Sequence, residues 1–330
     1  MRMLVTGGCG FIGSAFVRIA LERGAEVVNL DKLTYAGNPA NVADVAGHPR
    51  YAFVHGDIAD AEVVAEAVAG CDVVVNFAAE SHVDRSILDP REFIRTDVEG
   101  TATLLAAARA AGVGRFVQVS TDEVYGSIRS GSFRETDPLR PSSPYSASKA
   151  GGDLQVVAWH QTYGVDAVIT RGSNTFGPRQ YPEKLIPLFV TNAFDGQELP
   201  VYGDGMQVRD WIFVDDHCEG IWTAMRLGVA GEVYNVGGGH EMPNIAITRR
   251  VVELTGCDPA LVRHVTDRPG HDRRYSLDTA KLRSLGWAPA HDFGDALRET
   301  VEWYRERRDW WEPIKSGDYR AYYEAQYGGR

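Results

Sequence analysis

Short apolar runs punctuate the first half of the chain. They occupy Met3–Val5, Val27–Leu30, Tyr51–Val54, Val73–Val75, Arg115–Ser120 and Ala167–Thr170, and each gives way to small or polar residues. Ala-rich amphipathic stretches lie between them, at Ser14–Arg23, Ala61–Ala69 and Gly100–Ala111. Continuous rather than alternating apolar runs, separated by helical patterns, predict a parallel sheet covered on both faces. The expected class is therefore α/β, a Rossmann-type doubly wound parallel sheet. Ligands of such sheets bind at the carboxyl ends of the strands.

The alternation weakens beyond Gly172, where Pro178, Pro182, Pro187 and Pro200 interrupt it. Helical patterns return at Val190–Phe194 and Ile245–Thr255, and strand-like runs at Trp211–Val214 and Val233–Val236. The expected division is a nucleotide-binding domain over 1–172 and a smaller α/β substrate-binding domain over 173–330. Segments near 211–240 are expected to return to the first. The Trp-, Tyr- and Arg-rich end from Trp303 to Tyr323 reads as a packed terminal helix, since no RNA-recognition motif surrounds it.

Composition narrows the function. A net charge of -11 argues against general affinity for nucleic acid or anionic membrane. Cys9, Cys71, Cys218 and Cys257 are scattered without CxxC spacing, so they read as reduced thiols of a cytoplasmic protein rather than a disulfide or zinc framework. His82 and His217 lack ligand-like spacing, and no metal is expected. Strand-like sequence from Met3 leaves no signal-peptide pattern, and no apolar run reaches membrane-spanning length.

The turn after the first run reads Thr6-Gly7-Gly8-Cys9-Gly10-Phe11-Ile12-Gly13. In a strand–turn–helix context, Gly7 allows the tight turn, Gly10 the approach of a pyrophosphate, and Gly13 close helix–strand packing. The helix N-terminus then offers free N–H groups to phosphate. Asp31 ends the second run about 20 residues on, where a carboxylate binds the adenosine ribose and repels a 2′-phosphate. That favours NAD over NADP, with the adjacent Lys32 softening the preference. Asp57-Ile58 is placed to hold adenine, although Asp57 alone could equally be a helix N-cap.

Tyr145 and Lys149 form YxxxK on a helix predicted to begin after Pro144. Residues four apart share a helix face. The ammonium is expected to lower the phenol's pKa, so that Tyr145 takes a proton from a substrate hydroxyl as hydride leaves. Beside it in the sequence stands Thr121-Asp122-Glu123, which ends the fifth run.

With these motifs the chain resembles the short-chain dehydrogenase/reductases, in their extended, sugar-nucleotide-modifying branch. Ser120–Gly126, Ala78–Ser86, Gly203-Asp204-Gly205, Arg209-Asp210-Trp211 and Arg268–Tyr275 narrow the resemblance to the dTDP-glucose 4,6-dehydratase family, over essentially the whole chain. It implies an NAD-dependent lyase acting on dTDP-glucose or a close nucleotide sugar. In that chemistry C4 is oxidised with Tyr145 as base and Thr121 nearby. Glu123 removes the C5 proton, Asp122 protonates the departing C6 hydroxyl, and the hydride returns to C6. Two carboxylates are needed because one acts as base while the other acts as acid. Asp122 is expected to be protonated when substrate is bound, its pKa raised by Glu123 and desolvation.

The resemblance also implies that Ala78, Ala79, Thr96 and Asn174 border the cofactor and that Ser81 faces the sugar or nicotinamide end. It carries over Asn174, Lys184, Leu185, Pro200, Tyr202, Arg209, Asn244, Arg268, His271 and Tyr275 as substrate-binding residues. Two Arg and one Lys suit a pyrophosphate. Cys9, Asp97, Thr175 and His240 depart from the family pattern without removing a catalytic group. A homodimer is implied, its helices near Gly100–Ala111 and Tyr145–Tyr163 pairing with their mates. The rival readings are a 4-epimerase, a nucleotide-glucuronate decarboxylase, a UDP-sugar dehydratase and a non-catalytic NAD-binding relative. Asp122 separates dehydration from the first two, and the choice between thymine and uracil stays open.

Overall fold

The computed structural model describes residues 1–267, 271–316 and 323. Six strands come from the first half: β1 (Arg2–Thr6), β2 (Glu26–Asp31), β3 (Tyr51–His55), β4 (Val73–Asn76), β5 (Arg115–Thr121) and β6 (Ala167–Gly172). Strands β7 (Asn174–Phe176), β8 (Leu199–Tyr202), β9 (Val208–Phe213), β10 (Val233–Val236), β11 (His240–Pro243) and β12 (Val262–Val265) follow. The large sheet has the order β3-β2-β1-β4-β5-β6-β10. All its pairings are parallel.

The helices that position the site are α1 (Phe11–Glu22), α2 (Ala61–Val68), α3 (Thr101–Ala110), α4 (Pro144–Tyr163), α5 (Leu185–Phe194), α6 (Val214–Leu227), α7 (Asn244–Thr255) and α8 (Phe293–Glu306). Alternate strand residues face opposite sides. Met3, Val5, Val27 and Val75 pack on Phe16 of α1 and Ile221 of α6. Leu4, Val28 and Val74 pack on Val64 of α2, Leu104 and Leu105 of α3 and Val156 of α4. Both faces are thus covered, which is why these strands read as unbroken apolar runs. The strand order reverses between β1 and β4, and the crevice at their carboxyl ends opens there.

Beyond β6 the chain builds a three-stranded sheet, β11-β9-β7, and a two-stranded one, β12-β8. The return near 211–240 is made by α6 and β10. The strand read at Trp211–Val214 is β9, which starts earlier, stops at Phe213 and joins the small sheet instead. Val214 opens α6, whose first turn carries Asp215 and Asp216 at the positive end of the helix dipole. Pro187 is tolerated in the first turn of α5, where the missing N–H had no intrahelical partner. Past α8, Trp310 and Trp311 are buried in the main core, as a packed end requires.

Candidate active site

The cofactor-sized cavity, about 290 Å³, lies at the carboxyl ends of β1, β2, β4 and β5. Gly7 has φ 67°, and its added Cβ would sit 2.7 Å from the Ala78 nitrogen. A Cβ on Gly13 would sit 2.2 Å from the Gly7 carbonyl oxygen. Only glycine permits this cradle. No side chain caps α1, so its first N–H groups remain available to an anion. Phe11, Ile12 and Gly10 complete the turn's share of the wall, Ala78 and Ala79 line it from the segment after β4, and Thr96 and Asn174 from further along.

Asp31 and Lys32 line the cavity at the end of β2. Asp31 accepts hydrogen bonds from the Cys9 and Leu33 amides, both at 2.8 Å. Burial raises its carboxyl above the usual range, and those two amides pull it back. Leu33 is held at φ 53°, a left-handed conformation rare outside glycine, which folds the loop back under the carboxylate. Asp57 and Ile58 also line the cavity. Asp57 accepts from the Ala59 amide at 2.9 Å and pairs with Lys32 at 3.0 Å and Arg95 at 3.3 Å. The N-cap of α2 is Asp60, so the capping alternative for Asp57 falls. Asp31→Ala should weaken NAD binding about 10- to 100-fold, as loss of a charged hydrogen-bonding group predicts, and narrow the preference over NADP. Calorimetric titration of both cofactors checks this.

The chemistry-bearing residues meet on the cavity floor. Thr121 ends β5 and caps a 3-10 turn over Asp122–Tyr125, its hydroxyl oxygen accepting from the Glu123 amide at 3.3 Å. The capping role in this segment therefore belongs to Thr121 and leaves the carboxylates for other work. Asp122 is 2% exposed, and its Oδ2 has no hydrogen-bond partner among the described residues. Burial above all, then Glu123 and Asp210, push its carboxyl well above the usual range. The shift has the expected direction, with desolvation rather than Glu123 as the leading cause.

Helix α4 carries Tyr145 and Lys149. Its start is fixed by Pro144 at the first helical position and a Ser143/Ser146 capping box, and its end by left-handed Gly164. One sequence expectation is overturned here. The Tyr145 phenol lies well above its ordinary value, because burial, Glu123, Asp97 and Asp122 all disfavour the phenolate. A hydrogen bond from Thr121 works in the other direction. The Lys149 ammonium is turned onto the Val119 carbonyl, 3.0 Å away. Asp97 sits behind the pair in a π-helical turn over Arg95–Gly100, accepting from Ser148 at 2.6 Å. Burial pushes its carboxyl up to about 6.

A second cavity of about 160 Å³ shares Glu123, Asn174 and Lys184 with the first. Leu185, Pro200, Tyr202, Arg209, Asn244, His271 and Tyr275 line it. Arg209 lies over the Tyr275 ring at 4.3 Å and donates to the Asp272 carbonyl at 3.0 Å. Tyr202 packs edge-on against His271. Lys184 donates to the Ser81 carbonyl, and Ser81 itself lines the first cavity. Arg268 lies outside the described residues. His82, Asp84, Glu183, Trp211 and Thr248 also line the second cavity and escaped the sequence reading. Trp211 is two residues from Arg209 on one strand, and Thr248 four from Asn244 on one helix. The periodicities of strand and helix could have found both.

His217 of α6 was set aside in the sequence and lines the cofactor cavity. Its Nδ1 lies 2.7 Å from the Thr175 hydroxyl, and its ring abuts Gly172 so closely that a Cβ there would come within 2.4 Å. Burial lowers its pKa to about 4. The unfolded chain, at about 6.5, therefore binds the proton first, and stability present at neutral pH is lost as pH falls from 6.5 toward 4. His217→Gln should remove up to about 3 kcal/mol of that acid-side loss, read from denaturant unfolding at each pH.

Among the described residues no group of three His, Cys, Asp or Glu could hold a metal ion, and no helix is long and apolar enough to cross a membrane.

A glycine-cradled dinucleotide cavity, floored by a Tyr–Lys pair and opening onto a second polar cavity, defines an extended short-chain dehydrogenase/reductase. The chain belongs to the GDP-mannose 4,6 dehydratase family, whose profile matches residues 4–300, and within it to the dTDP-glucose 4,6-dehydratases. It is 54% identical to the dTDP-glucose 4,6-dehydratase of Streptomyces niveus, over 96% of this chain and 97% of that one. The crystal structure of DesIV, a dTDP-glucose 4,6-dehydratase of Streptomyces venezuelae with NAD bound, superposes with a TM-score of 0.94 at 57% identity, covering 96% of this chain and all of that one. A Thermus thermophilus UDP-glucose 4-epimerase with NAD is more distant, at 34% identity and a TM-score of 0.87, over 93% of this chain and all of the other.

Proposed function

We propose that the chain dehydrates dTDP-glucose to dTDP-4-keto-6-deoxyglucose, with NAD as a resident cofactor that ends each cycle as it began. The observation that carries this is the buried Asp122 of the first cavity, its carboxyl raised above the usual range, beside Glu123, which lines both cavities. An epimerase needs the Tyr–Lys pair but no acid–base pair.

The residues around the first cavity fit NAD. The glycine cradle lets a pyrophosphate approach the uncapped end of α1, and Asp31 offers acceptors to a ribose. Asn174 Oδ1 and Gln180 Oε1 are buried without partners among the described residues on the cavity wall, where a polar ligand would satisfy them. Bound NAD supplies the acceptor for the C4 hydride and its return to C6. The Tyr145 phenolate, steadied by the Thr121 hydrogen bond, takes the C4 hydroxyl proton and becomes the neutral phenol. Lys149 holds the nicotinamide ribose. Glu123 removes the C5 proton once C4 is a ketone. Asp122 gives its proton to the C6 hydroxyl, which leaves as water, and C5 is then reprotonated. Arg209 and Lys184 hold the pyrophosphate, and Pro200 and Tyr202 lie against the base.

This reading assigns NAD to 1–172 together with α6 and β10, and the nucleotide sugar to the remainder of 173–330. It places the enzyme in the cytoplasm as a homodimer, with α3 and α4 forming the shared bundle. The exposed Leu154 and Tyr163 on α4 support that face. Incubation with dTDP-glucose and NAD should produce the ultraviolet band that 4-keto sugars show in alkali, and UDP-glucose should serve less well. Absence of the band with every nucleotide-glucose would leave the chain a non-catalytic NAD-binding relative.

A further inference from the structure

The catalytic groups come from two separate pieces of chain. Asp122 and Glu123 ride on the turn after β5, and Tyr145 and Lys149 on α4. A buried polar cluster below the floor joins the two. Arg171 of β6 is 4% exposed, and its guanidinium divides between them. Its Nε donates to Asp153 at 2.9 Å, and its Nη1 donates to the Tyr125 hydroxyl at 2.8 Å. Asp153 stands four residues beyond Lys149 on α4, one turn below it. Tyr125 stands at the end of the same short turn as Asp122 and Glu123.

The Tyr125 hydroxyl passes the connection on, donating to Asn235 Oδ1 of β10 at 2.8 Å. Asn235 Nδ2 donates to the Phe133 carbonyl at 3.0 Å, and Phe133 stacks on the Tyr125 ring with centroids 5.0 Å apart. Phe133 and Ile128 also hydrogen-bond with Ser276 and Arg274, flanking the Tyr275 that lines the second cavity. Tyr125, Asp153 and Asn235 are fully or almost fully buried. None of these groups lines either cavity.

We propose that Arg171 is a positioning residue that locks the carboxylate pair, the Tyr–Lys pair and the wall of the second cavity into one register. Its bonding explains why a costly buried cation is kept there. It makes one ion pair and one hydrogen bond, aimed at the two catalytic pieces, where an apolar side chain would pack the same space without orienting either. The reaction imposes a specific need for such a lock. The substrate is oxidised at C4, loses water across C5 and C6, and takes the hydride back at C6 without leaving the site. Both pairs must therefore stay aligned on one bound sugar, and misplacement by about 1 Å can cost about 10²-fold in rate.

The inference rests on the dehydratase reading, and the test separates the two. Tyr125→Phe, Arg171→Lys and Arg171→Met are compared with the parent in full-length protein, on dTDP-glucose. Tyr125→Phe and Arg171→Lys should lower kcat about 10- to 100-fold, with KM and NAD affinity changed by no more than about threefold. Reduced nicotinamide should accumulate during turnover, because elimination and hydride return fall out of step with oxidation. Arg171→Lys, which keeps the ion pair, should retain more activity than Arg171→Met. If Arg171→Met does not fold, Tyr125→Phe and Arg171→Lys decide the matter. Turnover by both within about threefold of the parent overturns the inference, as does a kcat loss matched by an equal loss of NAD affinity, which marks a purely structural role. A parent that forms no 4-keto sugar overturns the dehydratase reading instead.

Discussion

Tyr145→Phe, mixed with NAD and dTDP-glucose, should form no reduced nicotinamide, and its kcat should fall by about 10³-fold or more. The substitution removes one oxygen and leaves the ring that meets Phe93 edge-on. Nucleotide-sugar binding should therefore survive, with KM changed by less than about threefold. Position in the chain of events makes the loss large. Removal of the C4 proton precedes every later step, and nothing downstream begins until the ketone has acidified C5. The site sharpens this dependence, because burial and three carboxylates hold the phenol well above its ordinary value. The isolated protein thus keeps Tyr145 protonated. A cationic nicotinamide, together with Thr121 and Lys149, must lower that barrier when the ternary complex forms. The rate of reduced-nicotinamide formation in the parent should accordingly rise with pH. Stopped-flow absorbance on the variant checks the assignment, and a normal burst there would remove Tyr145 as the base.

The direction of that pKa was not legible from YxxxK. Spacing of four places two side chains on one helix face, but it does not say which way a lysine turns. Lys149 donates to the Val119 carbonyl of a strand beside it in space and distant in sequence. The carboxylates that act on Tyr145 come from two segments, the turn after β5 and the π-helical turn over Arg95–Gly100. Long-range burial of this kind leaves no periodic trace.

The first half of the fold was legible for the opposite reason. Apart from the edge strand β3, its strands are buried on both faces and so appear as continuous apolar runs, and glycine or aspartate marks where most of the runs end at the crevice. The strands of the small sheets lack that signature. β8 and β11 contain Pro200 and Pro243, which remove ladder donors and confine such strands to edges or ends. Pro200 and Tyr202 of β8 were named as site candidates through family motifs, while the strand bearing them went unread. His82, Asp84 and Glu183 show the complementary case. They lay within segments already in view, yet an isolated charge has no meaning until folding places it. Arg85, for instance, reaches Glu183 at 3.1 Å across 98 residues of sequence.

Asp122→Asn separates the two halves of the chemistry. The variant keeps Thr121, Tyr145 and Lys149, so C4 oxidation should proceed and reduced nicotinamide should appear on mixing with dTDP-glucose. Asparagine has nearly the shape of the acid and cannot deliver its proton. Loss of water from C6 should then slow about 10²- to 10⁴-fold, the range for removing a positioned general acid, and reduced nicotinamide should persist instead of being consumed. Stability supplies an independent reading of the same group. The folded-state pKa of Asp122 is raised, so the folded protein holds this proton more tightly than the unfolded chain does. Between the unfolded value, about 3.9, and the raised folded value, stability falls as pH rises. Asparagine has no proton to lose. Asp122→Asn should therefore melt at or above the parent temperature, with the difference widening as pH increases. A variant that melts higher yet stalls after oxidation identifies Asp122 as an acid kept neutral at a cost in stability. A variant that fails to reduce NAD at all shows that Asp122 serves the first step and that another group protonates the leaving hydroxyl.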